Sequence, residues 1–487
     1  MGIPSFYRHL CRRHPALISR GHGPAPAWFC LDFNCAMYGV LRLMPVGFTE
    51  AEFMEAIADY MEEMIGMVAA TEGVYVSIDG VVCAAKRRQQ RLRRFKGPWL
   101  AEIEAVVKGV PLTEKWDQNA LTPGTPFMAR LATVLAVRCR RLAAKRGIPV
   151  ILSSAAEPGE GEHKLMTHLR SVRPKTVTIY GLDADLILLS MLLGAETGAS
   201  VRLLREAQEF ETGRRPVSNK ASASGTADFE RTSGDTWRTL NVTELAEVLL
   251  GSSDRIKDYV AAMSLLGNDF LPRSLTRTVR DDGIPKLIAD LERVWSAGLR
   301  IVDDGLNATG LTALLEPWAS FEQEDLRLAV VNGEREARRA RDEWESLPAR
   351  WASVTRMDYA SWHPGPATNY VAGLAWIWDY YCGRPVDLGW SFDEHLPPLW
   401  SDVIAELKSG IKPPPLRYTD YLPAATHLFA VLPAASMARL LPSHLGLINR
   451  MPWYWPTDWS LFDIGRTQLW ECEPVIPVLS DAVLRSL

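Results

Sequence analysis

Apolar positions in the first half of the chain follow two alternating rhythms. Four short runs are apolar almost throughout and then open into loops: WFCLDFN (28–34), VYVSIDG (74–80), PVILSSAAEPGEGEH (149–163) and VTIYGLDADL (177–186). Runs of this kind read as strands buried on both faces, the habit of parallel sheets. Between them, apolar residues recur at helical spacing. Residues 49–70 do so behind Thr49, a candidate N-cap, and residues 126–146 do so behind the turn sequence TPGT (122–125). Strand and helix alternating in this way predict an α/β domain with crossover helices around a central, mostly parallel sheet.

The pattern breaks in three places. Residues 212–236 are poor in apolar side chains and read as a mobile surface loop. Residues 333–346 (NGEREARRARDEWE) are densely charged and read as a solvated helix or linker. Beyond about residue 360 the chain turns rich in Trp and Pro, as in GLAWIWDYYCG (373–383), PPLW (397–400) and MPWYWPTDW (451–459). Aromatics at that density are mostly packing, so this stretch is expected to fold against the first region rather than alone. The expected division is a first domain over 1–330, a charged linker over 331–360 and a second region over 361–487.

Composition narrows the class without choosing a function. The chain has 487 residues, enough for more than one core, with 47% hydrophobic and 23% charged residues. Its net charge of −4 hides any local basic groove. Seven scattered cysteines form no CxxC pair and read as reduced thiols. The start, MGIPSFYRHLCRRHP, has no continuous apolar core for a signal peptide, and Phe6 stands where a myristoylation motif needs Ser or Thr. The longest apolar run, LILLSMLLGA (186–195), is too short for a membrane span. The expectation is a soluble intracellular protein with no membrane partner, cytoplasmic in preference to nuclear.

The chemistry lies at the strand ends. The four runs deliver Asp32, Asp79, the pair Glu160/Glu162 and the pair Asp183/Asp185. Strands of an α/β sheet place ligands at their carboxyl ends, so these acids are expected to converge. Like charges so crowded need protons or cations, and hard oxygen donors favour Mg²⁺ or Mn²⁺. Any one acid after a strand is an ordinary helix cap, but a full set at four strand ends is not. Asp269, in SLLGNDFLP (264–272), is a further candidate, because a polar GND interrupts an apolar helix there. Two ions about 3.5–4 Å apart would serve in-line phosphoryl transfer, which points to a nuclease. Asn34 and Asn268 are candidates to orient neighbouring carboxylates, and His163 reads as a helix-start residue rather than a base.

Seven residues after Asp79 comes KRRQQRLRRFK (86–96). Lys86, Gln90, Arg93 and Arg94 share one helical face, three cations and an amide sized for a phosphate. A solvated basic helix or an import signal is the plain alternative; proximity to a metal-ligand candidate favours the phosphate.

Together these motifs resemble the 5′-to-3′ exoribonuclease (XRN) family. The similarity runs through MGIPSFYRHLCRRHP, LDFN, IDGVVCAAKRRQQRLRRF, NALTPGTPFM, EPGEGEHKLM, YGLDADLILL, LLGNDFLP and GLAWIWDYYCGRPVDLGWSF, and on to the closing stretch. The resemblance implies a three-layer PIN/flap-nuclease-like α/β domain wrapped by a mainly helical, Trp-rich second conserved region, in a compact member holding the catalytic core alone. It implies metal ligands at Asp32, Asp79, Glu160, Glu162, Asp183, Asp185 and Asp269, and a 5′-phosphate pocket of Lys86, Gln90, Arg93 and Arg94. The implied activity is processive 5′-to-3′ degradation of single-stranded, 5′-monophosphorylated RNA to nucleoside 5′-monophosphates, as in mRNA decay, with two Mg²⁺ or Mn²⁺ ions. Tyr38 stands where the family has a base-stacking His, with Trp390 as its partner; Leu388 and HLPP (395–398) also depart from the family wording. Two other readings stay open: an RNA-binding scaffold without turnover, and a flap-type structure-specific endonuclease.

Overall fold

The computed structural model describes residues 6–111, 116–207, 236–279, 282–338, 344, 346, 355–362 and 365–487. They fall into two compact units of interleaved segments, 1–80 with 129–260, and 81–128 with 261–487. A single cut near residue 330 does not reproduce that division. Residues 81–128 and 261–330 join the second unit because their packing partners lie far along the chain, which local patterning does not report. Of the expected linker, residues up to 337 finish a helix, Glu322–Ala337, and much of the rest lies outside the described residues. The expected loop 212–236, except Thr236, lies outside them too.

The first unit holds a seven-stranded sheet: β1 (Ile18–Arg20), β2 (Trp28–Asp32), β3 (Gly73–Ser77), β4 (Val150–Ser153), β5 (Thr176–Tyr180), β6 (Ser200–Glu206) and β7 (Trp237–Asn241). Its order is β1-β7-β6-β5-β2-β3-β4. β4, β3, β2, β5 and β6 run parallel, and β7 and β1 close one edge antiparallel. The four apolar runs are thus four neighbouring strands, and β2 and β3 are buried along their whole length. From β2 the chain builds outward to β3 and β4, then returns to place β5 on the other side of β2. The order therefore reverses between β2 and β5, and their carboxyl ends flank a topological switch point.

Helices connect the strands as the periodicity predicts. They are α1 (Phe6–Arg13), α2 (Asn34–Leu41), α3 (Glu50–Val68), α4 (Ala84–Lys108), α5 (Pro126–Arg146), α6 (Gly161–Val172) and α7 (Asp185–Thr197). Thr49 caps α3 in a full capping box with Glu52. α7 is buried almost throughout its first nine residues, which accounts for the longest apolar run. Among the described residues no helix is long and apolar enough to cross a membrane, and all seven cysteines are free thiols.

The second unit is mainly helical, with one two-stranded ribbon, β8 (Ser460–Phe462) against β9 (Glu473–Val475). Trp318, Trp376 and Trp400 are among its largest fully buried side chains, so the Trp-rich wording is chiefly core; Trp453 and Trp470 are exposed. In this unit α4 carries the basic run, and burial sorts its cations. Arg87 is buried and paired with Asp481. Arg91 is 1% exposed, donates to the carbonyls of Pro477 (2.8 Å), Ala430 (3.0 Å) and Tyr454, and lies over the rings of Phe95 and Tyr454. Burial pushes both guanidinium pKa values down to about 10. Arg93, two residues on, is exposed.

Arg91→Met would take a donor from three carbonyls, of which Ala430 keeps the Tyr454 hydroxyl (3.0 Å). The cost is about 1–3 kcal/mol for each buried group left unsatisfied, with the guanidinium's packing on Phe95 and Tyr454 lost besides. We expect a loss of at least about 3 kcal/mol in urea unfolding, against no more than about 0.5 kcal/mol for Arg93→Met.

Candidate active site

The switch point sets the positions of the acids. Asp32 is the last residue of β2, and Asp79 lies two residues beyond β3. Glu160 and Glu162 bracket the first residue of α6, after β4, and Asp183 and Asp185 fall between β5 and the start of α7. All six therefore issue from the carboxyl ends of β2, β3, β4 and β5, four adjacent parallel strands of one unit. Asp32, Glu160, Glu162 and Asp185 are each less than a tenth exposed; Asp79 and Asp183 are half-buried.

The backbone between them is glycine by necessity. A Cβ on Gly161 would sit 2.9 Å from Oδ1 of Asp32 and 3.3 Å from Oδ1 of Asp79. A Cβ on Gly181 would meet Cδ1 of Leu186 at 2.2 Å and Cβ of Asp32 at 3.3 Å. Short-range bonds hold the loops in register. The Gly161 amide donates to Oδ1 of Asp79 (2.6 Å), and Ser77 Oγ donates to the Gly161 carbonyl (2.7 Å). Asn34 Oδ1 accepts the Asp79 backbone amide (3.0 Å).

Sequence reading missed three supporting groups. Lys164 Nζ donates to the carbonyls of Ile78 (2.6 Å), Ser154 (3.0 Å) and Glu157 (3.1 Å), tying the β3 and β4 loops together. Burial lowers its pKa to about 8, against the upward pull of Asp79 and Glu157. Arg205 Nη2 donates to the Asp183 carbonyl (2.8 Å) while its guanidinium lies over Tyr7. Glu206 accepts from Tyr60 (2.9 Å) and Tyr180 (2.8 Å). The EGEHK string signalled Lys164; the other two are set by partners too distant in sequence to read. Cys35 registers the resulting field: burial first, then Asp32, Glu206 and Asp183, push its thiol pKa well up.

Asp269 belongs to the second unit, where its carboxylate pairs with Lys86 at 2.8 Å with both side chains nearly buried. Asn268 Oδ1 accepts the amides of Phe270 and Leu271, which shapes that turn. Of the other phosphate-pocket candidates on α4, Gln90 and Arg94 are half-buried and Arg93 is exposed. Tyr38 is half-buried on α2 in the first unit. Trp390, in the second unit, is 7% exposed, donates to Asn369 (2.9 Å), packs on Trp376 and covers Gly373.

Among the described residues no three His, Cys, Asp or Glu side chains already stand together as a metal cage. The donor set nevertheless fits a hard divalent cation, since two carboxylates turn towards the one spot that Gly161 keeps clear. Asp32, Asp79, Glu160, Glu162, Asp183 and Asp185 are the residues that could hold it.

This is an α/β protein with an acidic site at the switch point of a mostly parallel sheet. Residues 1–207 match the family described as XRN 5'-3' exonuclease N-terminus. A 5'-3' exoribonuclease 2 from Eremothecium gossypii is 30% identical over 397 residues, 66% of this chain and 41% of that one. Its namesake from Saccharomyces cerevisiae is 29% identical over 441 residues, 76% and 43% of the two chains. The chain thus spans less than half the length of these curated relatives. A solved catalytic core of Rad2 in complex with DNA substrate aligns at 12% identity and a TM-score of 0.31, over 92% of this chain and 99% of that one.

Gly161→Ala should force the Asp32 and Asp79 carboxylates apart while leaving the sheet intact. We expect Mg²⁺ or Mn²⁺ binding, measured by calorimetry, to weaken by about 10–100-fold. Far-UV circular dichroism should be unchanged.

Proposed function

We propose that this protein is a metal-dependent 5′-to-3′ exoribonuclease that degrades single-stranded RNA bearing a 5′-monophosphate and releases nucleoside 5′-monophosphates processively. The observation that carries this reading is the set of six carboxylates at the four strand ends flanking the β2/β5 switch point. The names of the relatives, each a 5'-3' exoribonuclease 2, agree with it. Two Mg²⁺ or Mn²⁺ ions, when bound, would supply an activated water and charge for the leaving oxygen. The chain's own part is to hold the carboxylates in register through Asn34, Ser77, Gly161, Lys164 and Arg205, and to keep the site from relaxing under its own repulsion.

On α4 the phosphate socket comprises Lys86, Gln90, Arg93 and Arg94, with Asp269 fixing Lys86. Guanidinium groups bind a terminal phosphate with bidentate geometry, and such charge-assisted bonds are roughly twice as strong as neutral ones. A 5′-hydroxyl gives them nothing to bind, so the socket selects the phosphorylated end. Tyr38 and Trp390 are the base-stacking candidates, each worth on the order of 1–3 kcal/mol per stacked base.

Asp183→Asn and Asp185→Asn should each lower turnover of 5′-phosphorylated RNA by about 10²–10³-fold or more. RNA binding in gel-shift assays should persist, and chelation of divalent ions should abolish turnover of the wild type. Undiminished rates in both variants would overturn the metal assignment. Arg93→Met or Arg94→Met should cut the preference for 5′-phosphate over 5′-hydroxyl RNA by about 10–100-fold, read as the ratio of kcat/KM values.

A further inference from the structure

One carboxylate of the first unit stands outside the acid set and has no part in the function so far. Glu206 is the last residue of β6. Its Oε1 accepts the hydroxyls of Tyr180 (2.8 Å), the last residue of β5, and of Tyr60 (2.9 Å) on α3. Both tyrosines are buried. Oε2 is shielded from solvent and has no hydrogen-bond partner among the described residues. The two tyrosines are therefore what this carboxylate holds.

The register of the sheet fixes which way Glu206 faces. Leu31, Tyr180 and Leu204 are registered neighbours on β2, β5 and β6. Registered residues of parallel strands share a face, and the next residue along takes the other. Glu206, two beyond Leu204, thus shares the face of Tyr180. Asp32, Gly181 and Arg205, each one beyond that row, share the opposite face. A Cβ on Gly181 would accordingly lie 3.3 Å from that of Asp32, and Arg205 reaches the Asp183 carbonyl (2.8 Å). The end of β6 thereby grips the start of the stretch 181–185 from both sides, Arg205 on one and Glu206 on the other. Phenylalanines and a leucine would fill the Glu206 side without the cost of burying a carboxylate. Burial first, then Cys35, Glu206 and Tyr60, push the Tyr180 hydroxyl well above its ordinary pKa, so it remains a donor.

We infer that Glu206 is a positioning residue for Asp183 and Asp185: it fixes Tyr180, and with it the point from which the acid-bearing stretch leaves β5. The inference rests on the metal reading above and adds to it a residue from the far face of the sheet. Glu206 touches neither metal nor substrate; it acts through Tyr180.

Mn²⁺ binding to the full chain, followed by calorimetry, separates positioning from packing. Glu206→Leu removes the acceptor and should weaken Mn²⁺ binding about tenfold. It should lower kcat for 5′-phosphorylated single-stranded RNA rather than raise KM. Glu206→Gln keeps an acceptor oxygen and should bind Mn²⁺ within about threefold of the wild type. Tyr180→Phe should reproduce the loss seen in Glu206→Leu. Tyr60→Phe takes away the other donor without touching β5 and should stay within about threefold of the wild type. A folded Glu206→Leu with wild-type affinity, or with its loss in KM alone, overturns the role. So does Glu206→Gln as impaired as Glu206→Leu, which would make the effect one of charge. Tyr60→Phe as weak as Tyr180→Phe overturns it too. Should Glu206→Leu fail to fold, Tyr180→Phe against Tyr60→Phe carries the test alone. A wild type that binds no Mn²⁺ defeats the metal reading itself. A wild type that binds Mn²⁺ no more tightly than Glu206→Leu and Tyr180→Phe defeats this inference alone.

Discussion

Mutual repulsion among carboxylates is the constraint around which the first unit is organised. Six of them leave four adjacent strand ends, and four are nearly sequestered from water. Charges brought that close in a medium of reduced permittivity would drive the loops apart unless the backbone held them. The fold supplies that restraint through the sheet, whose parallel register fixes where each strand stops. Gly161 and Gly181 then let neighbouring loops approach to distances a side chain would forbid. The nearby cations Lys164 and Arg205 spend their donors on backbone carbonyls, anchoring the loops. Lys164 still acts through space on Asp79 and Glu157.

Local wording carried much of this. The runs at 28–34, 74–80, 149–163 and 177–186 contain β2, β3, β4 and β5. Of these, β2 and β3 are buried on both faces and so read apolar almost throughout. In contrast, β4 is an edge strand with Ile151 exposed, and its apolar run overstates its burial. α5 spans Pro126–Arg146, the residues its spacing and the preceding turn predict, and Thr49 announces α3 through a capping box closed within four residues. Each of these signals is short-range, and so is the acid at the end of each run.

Where the chain must find a distant partner, the signal fades. Glu206 is one charge in a polar stretch until Tyr60 and Tyr180 are seen to share it, 146 and 26 residues away. Arg91 and Arg93 look alike in KRRQQRLRRFK, yet one is sealed against Ala430, Tyr454 and Pro477 while the other faces water. The helical phase does separate them, as one face of α4 carries Arg87 and Arg91 and the adjoining one Lys86, Gln90 and Arg94. Which face is core depends on a helix more than 300 residues downstream. The interleaved units have the same origin, since α4 joins its unit through Ala424–Val431 and β9.

That partition of α4 resolves an apparent conflict in the composition. A net charge of −4 suits neither a phosphate binder nor an RNA binder, yet residues 86–96 alone hold seven cations. Arg87 and Arg91 are used as structure, but a pKa of about 10 leaves both charged at neutral pH. Their charge is not lost to an approaching anion, because field lines pass through protein with less screening than through water. The proposed socket would therefore feel its own cations together with those locked beneath them. The compensating acids are gathered on the sheet of the other unit, where a surplus of negative charge is what a divalent cation requires. Local concentration of each sign, with near cancellation over the whole chain, is what the proposed binding of both a metal and an anion by one molecule would require.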